Sequence, residues 1–213
     1  MLPSHKHAGV WEIGIDEAGR GPLFGPVVAA AVVLPRDGSF DVTMVKDSKR
    51  FTSKRKLKTG VEYIKSKSSS WAYFACSSRE IDARGIRHAC IYAMHRAASA
   101  CMDQLGLDCG NTLLLVDGND FKPLAVFEND DYKPVRHETV VGGDNSYASI
   151  AAASMIAKWH HDEDIAKLCA EDPSLDERYD LRQNKGYGTK KHIAGLKEYG
   201  PTANHRMTFA RCH

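Results

Sequence analysis

From Val10 to Leu34 the chain passes from one apolar run to another through a short polar break. Apolar residues alternate from Val10 to Ile15, which predicts a strand over Val10–Glu17. Val27–Leu34 is continuously apolar and predicts a second strand over Pro26–Leu34, buried on both faces. The connection between them, around Gly19-Arg20-Gly21-Pro22, suits an antiparallel pair. A helix follows near Ser53–Lys65, with Thr52 or Ser53 as its N-cap, and Ser66–Ser70 reads as a loop. A third strand fits Trp71–Ser78. A long helix fits Ile86–Leu105, where Ile91, Met94, Ala98, Met102 and Leu105 recur at helical spacing before Gly106. Thr112–Asp117 reads as a central strand and Arg136–Val141 as a fifth. Ser146–Lys158 is a small-residue helix with helical character to about Ala170, and Lys190–Tyr199 is the last helix. Strands first, then strands alternating with helices, predict a mixed α/β sheet with helices on its faces.

Composition narrows the class without naming a function. The chain has 213 residues, 43% hydrophobic and 26% charged, ordinary values for a globular protein with a real core. A formal net charge of +2 does not announce a nucleic-acid binder, but the distribution is uneven. Lys46, Lys49, Arg50, Lys54, Arg55, Lys56, Lys58, Lys65 and Lys67 stand against only Asp47 and Glu62, and Lys185, Lys190, Lys191 and His192 form a second cluster. Two basic patches around an acidic centre suit a polyanion lying over a metal site; a solvated helix face is the plainer reading of either patch alone. Six cysteines without C-x-x-C spacing read as reduced thiols of a cytoplasmic protein. No apolar run approaches the ~20 residues that cross a bilayer.

The chemistry concentrates at element ends. Asp16 and Glu17 close the first strand, Asp117 closes the fourth, and Asp144 precedes the small-residue helix. Ligands collect at the carboxyl ends of strands in an α/β sheet, so Asp16 and Asp117 stand side by side if those strands are neighbours. Taken alone, Asp117 fits a turn and Asp144 fits an N-cap; the joint pattern carries the argument. Four carboxylates without His or Cys select Mg²⁺ or Mn²⁺. Two such ions ~4 Å apart can activate water and stabilise a leaving oxygen in phosphodiester hydrolysis. The glycines at 19, 21 and 25 do not form a dinucleotide fingerprint. Their turn instead lets backbone approach a sugar-phosphate and meet a ribose 2′-OH, the group that distinguishes RNA from DNA.

Five ordered blocks then make the chain resemble the ribonuclease HII (type 2 ribonuclease H) family: residues 14–28, 45–56, 114–119, 142–163 and 184–209. The resemblance implies an RNase H-like mixed five-stranded sheet flanked by helices. It implies a catalytic domain over 1–172 and a helical, substrate-gripping region over 173–213. It also implies a metal-dependent endonuclease that cuts the RNA strand of RNA–DNA hybrids. Such an enzyme also incises 5′ to ribonucleotides embedded in duplex DNA, leaving 3′-OH and 5′-phosphate ends, as in ribonucleotide excision repair. On that resemblance Asp16, Glu17, Asp117 and Asp144 are the catalytic, metal-binding acids. Gly19, Arg20 and Gly21 read the 2′-OH, and Tyr187 stacks on the deoxyribose at the junction. The implied cofactor is Mg²⁺ or Mn²⁺, two ions per site. The implied partner is a hybrid or ribonucleotide-containing duplex, met by a cytoplasmic monomer without a membrane.

The intact GRG turn and the lack of an extra N-terminal domain point away from the ribonuclease HIII branch. Three positions depart from the family pattern: Gly142 where lysine is usual, His161 where arginine is usual, and Gly188 where proline is usual. His160 and His161 could touch phosphate, but solvated helix residues are the plainer reading. The rival readings are another RNase H-like nuclease acting on all-DNA substrates and a non-catalytic hybrid-binding module.

Overall fold

The computed structural model describes residues 2–7, 9–45, 54–210 and 212. Residues 46–53 fall outside this set, and with them the Thr52 or Ser53 cap and the basic residues Lys46, Lys49 and Arg50. Five strands form the main sheet: β1 (Trp11–Ala18), β2 (Val27–Val33), β3 (Ser70–Cys76), β4 (Thr112–Asp117) and β7 (Arg136–Val140), in the order β3-β2-β1-β4-β7. The β1–β2 and β2–β3 pairs are antiparallel, whereas β1–β4 and β4–β7 are parallel. The five strands and the mixed sheet agree with the sequence reading. Ile15 is in register with Val116, so Asp16 and Asp117 come one residue later on adjacent parallel strands.

Central position explains why β1 is buried beyond its alternation. Ile13 and Ile15 pack into the cluster formed with α3 (Ile86–Leu105), including Cys90, Met94 and Cys101. On the opposite face lies α4 (Ala148–Glu171). A Cβ at Gly14 would stand 2.2 Å from the Ser149 carbonyl carbon, so glycine here is what lets α4 lie on the strand. The alanines of α4 face Leu57, Val61 and Ile64 of α1 (Lys54–Lys67) across a second cluster. The first turn of the chain is strapped to this frame: the Lys6 and His7 amides donate to the buried Glu12 carboxylate, and the Ala148 amide donates to Pro3 O.

Several boundaries differ from the sequence reading for identifiable reasons. The third strand stops at Cys76, because Ser77 and Glu80 form a reciprocal capping box that opens α2 (Ser78–Arg84). Loop 120–135 holds a hairpin of β5 (Ala125–Glu128) and β6 (Asp131–Pro134), turned at Asn129 and Asp130, both with positive φ. Asp144 is not a helix cap. It lies in a separate 3₁₀ turn, Gly143–Asn145, and α4 begins at Ala148 after an N-cap, Tyr147, that makes no side-chain cap bond. Between α4 and the last helix α7 (Lys190–Tyr199) sit two short helices, α5 (Ser174–Tyr179) and α6 (Leu181–Asn184). They share a core with Leu23, Phe24, Ile165 and Leu196, so Leu175, Tyr179, Leu181 and Cys212 pack onto the segment that follows β1. All six cysteines are free and buried, as small hydrophobes.

Candidate active site

Asp16 is held at the buried end of β1, 6% exposed, where one Oδ accepts the Glu17 amide at 2.7 Å. Burial pushes its pKa well above the usual carboxylate range, and the negative charges of Glu17 and Asp117 push it further; a hydrogen bond from the Ser154 side chain on α4 pulls the other way. Glu17 is raised too, again first by burial, with Arg20 opposing and Asp117 reinforcing. Asp117 Oδ1 accepts the Gly143 amide at 2.7 Å, which ties the end of β4 to the turn carrying Asp144. Asn145 donates its Nδ2 to Asp144 Oδ1 at 2.9 Å.

Three of the predicted acids are thus electrostatically coupled, and the fourth is joined through the neighbouring amide. They do not close into a finished cage: among the described residues no three His, Cys, Asp or Glu side chains stand in ligating arrangement. The donor set nevertheless fits a hard divalent cation. It is all carboxylate oxygen, and burial, then the repulsion of neighbouring carboxylates, raises Asp16 and Glu17; a bound cation offsets both.

Beside the acids lies the glycine turn. Gly19 has φ +82°, and a Cβ there would fall 2.3 Å from the His161 ring and 2.8 Å from Pro26 O, so both conformation and space require glycine. His161 is therefore a buried packing partner of the turn rather than a solvated residue. His160 is not solvated either: its ring stacks on Tyr73 at 3.6 Å between centroids, and Lys65 Nζ lies 3.0 Å from its Nε2.

Arg20 leans back over the acids, 3.6 Å from Glu17 and 3.6 Å from Asp120. Arg87 on α3 grips Asp120 with two nitrogens, Nε at 2.8 Å from Oδ2 and Nη2 at 2.6 Å from Oδ1. Sequence reading missed Arg87, Asp120 and Ser154. The i,i+3 relation of Glu17 and Arg20 was visible, but nothing local joins positions 87 and 154 to the site.

Tyr187 meets the turn from the other side. Its ring lies 3.4 Å from the place a Cβ on Gly21 would occupy, and 49% of the residue remains exposed. The loop beneath is fixed by the Leu23 amide on Gly186 O, and by the Thr189 amide and His192 Nδ1 on Tyr187 O. Gly188 leaves this loop anchored; its missing side chain would have pressed on Leu23 at 3.0 Å. The structure thus gathers Gly19, Arg20, Gly21 and Tyr187 around one lip of the acidic cluster.

Comparison with known proteins bears on lineage and fold. The ribonuclease HII family profile matches residues 13–213. Ribonuclease HII of Bacteroides thetaiotaomicron is 42% identical over 209 residues, covering 98% of this chain and 94% of the relative. That of Trichodesmium erythraeum is 43% identical over 202 residues, covering 93% and 86%. Among solved structures, ribonuclease H2 from Pyrococcus horikoshii OT3 superposes with a TM-score of 0.69 at 22% identity, covering 95% of each chain. Bst-RNase HIII, solved in complex with Mn²⁺, gives 0.67 at 17% identity, covering 96% of this chain and 68% of its own. The two structural likenesses speak to the fold, which is RNase H-like. The profile and the close relatives settle the lineage: this chain is a nuclease of the hydrolase class and belongs to the ribonuclease HII family.

Proposed function

We infer that the protein is an endoribonuclease that cleaves the RNA strand of RNA–DNA hybrids and incises 5′ to ribonucleotides embedded in duplex DNA. One observation carries the reading: a buried, self-repelling carboxylate group lies at adjacent parallel strand ends, beside a glycine turn faced by an exposed tyrosine. Asp16, Glu17, Asp117 and Asp144 would hold Mg²⁺ or Mn²⁺, two ions per site, and the Mn²⁺ complex of the structurally similar Bst-RNase HIII supports that choice. When bound, the cations supply Lewis acidity at the scissile phosphate and lower the pKa of water.

The chain's own groups supply position. Asp16, held by the Glu17 amide and Ser154, keeps its carboxylate fixed at the floor of the site. The Gly143 amide orients Asp117. Arg20 offers a guanidinium to phosphate at the rim, and the Gly19–Gly21 backbone meets the ribose 2′-OH. Tyr187 offers an aromatic face to the sugar on the DNA side, and the helices after residue 172 grip the duplex. Incision at embedded ribonucleotides would serve ribonucleotide excision repair, and the proposed setting is the cytoplasm, with the protein acting as a monomer.

The test uses end-labelled duplexes, one with a hybrid tract and one with a single ribonucleotide, incubated with Mg²⁺, Mn²⁺ or chelator. Metal-dependent incision 5′ to the ribonucleotide, with 3′-OH and 5′-phosphate ends, is expected. Cutting of all-DNA duplex at the same rate would instead identify a general nuclease, and hybrid binding without cutting a non-catalytic module.

A further inference from the structure

Among the described residues Arg206 is the largest fully buried side chain, a guanidinium with 0% exposure. Burying such a cation costs several kcal/mol unless the protein surrounds it with acceptors. Here the acceptors are backbone carbonyls, and they belong to the loop that carries the glycine turn. Nη2 donates to Gly19 O at 2.6 Å and to Pro26 O at 2.8 Å, Nη1 to Arg20 O at 3.1 Å, and Nε to Gly25 O at 3.0 Å. The neighbouring backbone is stitched to the same loop, by the Arg206 amide on Leu23 O and the Gly25 amide on Asn204 O.

This arrangement has a directional consequence. Every described peptide bond is trans, and in a trans peptide the C=O and the following N–H point in opposite directions. If Gly19 C=O and Arg20 C=O turn inward to the guanidinium, the amides of Arg20 and Gly21 turn outward. The Tyr187 ring stands beside the same turn, 3.4 Å from the place a Cβ on Gly21 would occupy. Two adjacent donors then face the site lip, spaced to receive one oxygen. An apolar residue at 206 would leave four inward carbonyls without this donor, and the turn would be free to flip its peptides.

We propose that Arg206 is a positioning residue for sugar discrimination: by binding the carbonyls of Gly19 and Arg20 from inside, it aims the Arg20 and Gly21 amides at the 2′-oxygen of the substrate. This deepens the proposed function and rests on it. Arg206 touches neither the acids nor the substrate; it acts through the turn.

Arg206→Lys tests it, because lysine keeps the charge but cannot span four carbonyls. For the single-ribonucleotide duplex, kcat/KM should fall ~10- to 100-fold, a loss of ~1.4 to 2.7 kcal/mol of transition-state stabilisation. The midpoint for Mn²⁺ activation and the affinity for all-DNA duplex should stay within ~2-fold. A folded Arg206→Lys enzyme with unchanged kcat/KM and unchanged preference for ribose over deoxyribose overturns the proposal. If wild-type enzyme fails to cut the ribonucleotide duplex, the underlying function is wrong instead.

Should Arg206→Lys not fold, amide hydrogen exchange on the wild-type protein decides. The Arg20 and Gly21 amides should exchange fast in the free protein. With Ca²⁺ present, they should slow with ribonucleotide duplex but not with all-DNA duplex. Slow exchange in the free protein, or equal protection by both duplexes, rules the proposal out.

Discussion

Asp16 carries a charge where the fold disfavours one. Its folded-state pKa lies above the ordinary value of 3.8, mainly through burial. Such a group favours folding when protonated, below its unfolded pKa, and that contribution is lost as pH rises through the folded pKa. At neutral pH Asp16 therefore costs stability, and Asp16→Asn should leave the melting temperature unchanged or higher by calorimetry. The same substitution should lower kcat by ~10³-fold or more, since it removes a carboxylate from the charge-stabilising set. Mn²⁺ should raise the melting temperature of wild type by mass action and that of Asp16→Asn by less; equal shifts would place the ion elsewhere. Gly19→Ala belongs to the same scale. Positive φ and the contact with His161 together should cost ~2 kcal/mol or more, read as a lower denaturant midpoint at constant slope.

Elements set the geometry that single residues exploit. The 202–206 turn and the first turn of α7 meet through a buried pair, His205 Nε2 3.0 Å from His192 Nε2. Because His192 Nδ1 donates to Tyr187 O and the Thr202 amide donates to His205 Nδ1, the bond between the rings runs from His205 to His192. Burial, with His192 beside it, lowers the His205 pKa to about 4. Its neutral form fits the fold, so its contribution is intact above the unfolded value of 6.5. That contribution falls by up to ~3 kcal/mol as pH drops from 6.5 towards 4. Denaturation curves between pH 7 and pH 4 should show this loss, and His205→Gln should reduce it while leaving the share owed to His160, whose pKa burial also lowers to about 4. Tyr187→Ala, by contrast, removes a half-exposed ring and should weaken substrate affinity ~10-fold without moving the melting temperature.

Legibility in the sequence followed the same division. Strands β1, β2 and β4 and helix α3 were readable because each buries an apolar run with helical or extended periodicity, whereas β7, Arg136–Val140, buries none of its residues. The capping box Ser77–Glu80 was also written locally, yet it adjoins a strand and was absorbed into it. The β5–β6 hairpin was hidden because its large residues, Phe127 and Tyr132, face solvent and lend it no buried stripe. The four acids sit at element ends and show themselves. Ser154 and Arg206 do not, since their partners lie over a hundred residues away in the chain and only packing joins them.

At the scale of the whole molecule, the sheet brings Asp16 and Asp117 to adjacent strand ends, and the loop between α6 and α7 brings Tyr187 against Gly21 of the turn beside them. Positive charge gathers on α1 and at the start of α7, although Lys54 is already paired with Glu163 at 2.8 Å and Lys58 lies 3.7 Å from Glu62. Each phosphate contact contributes ~0.9 to the slope of log affinity against log salt. Lys190→Ala should therefore reduce that slope by ~1 while leaving the incision position unchanged.

The most direct test of the central claim, that folding assembles a divalent-cation site from Asp16, Glu17, Asp117 and Asp144, is an anomalous difference map from crystals soaked in Mn²⁺. The account predicts density ligated by Asp16 and Asp117, with Glu17 and Asp144 completing the shells. Mn²⁺ bound only elsewhere, in crystals of enzyme that cuts hybrids in solution, would contradict it.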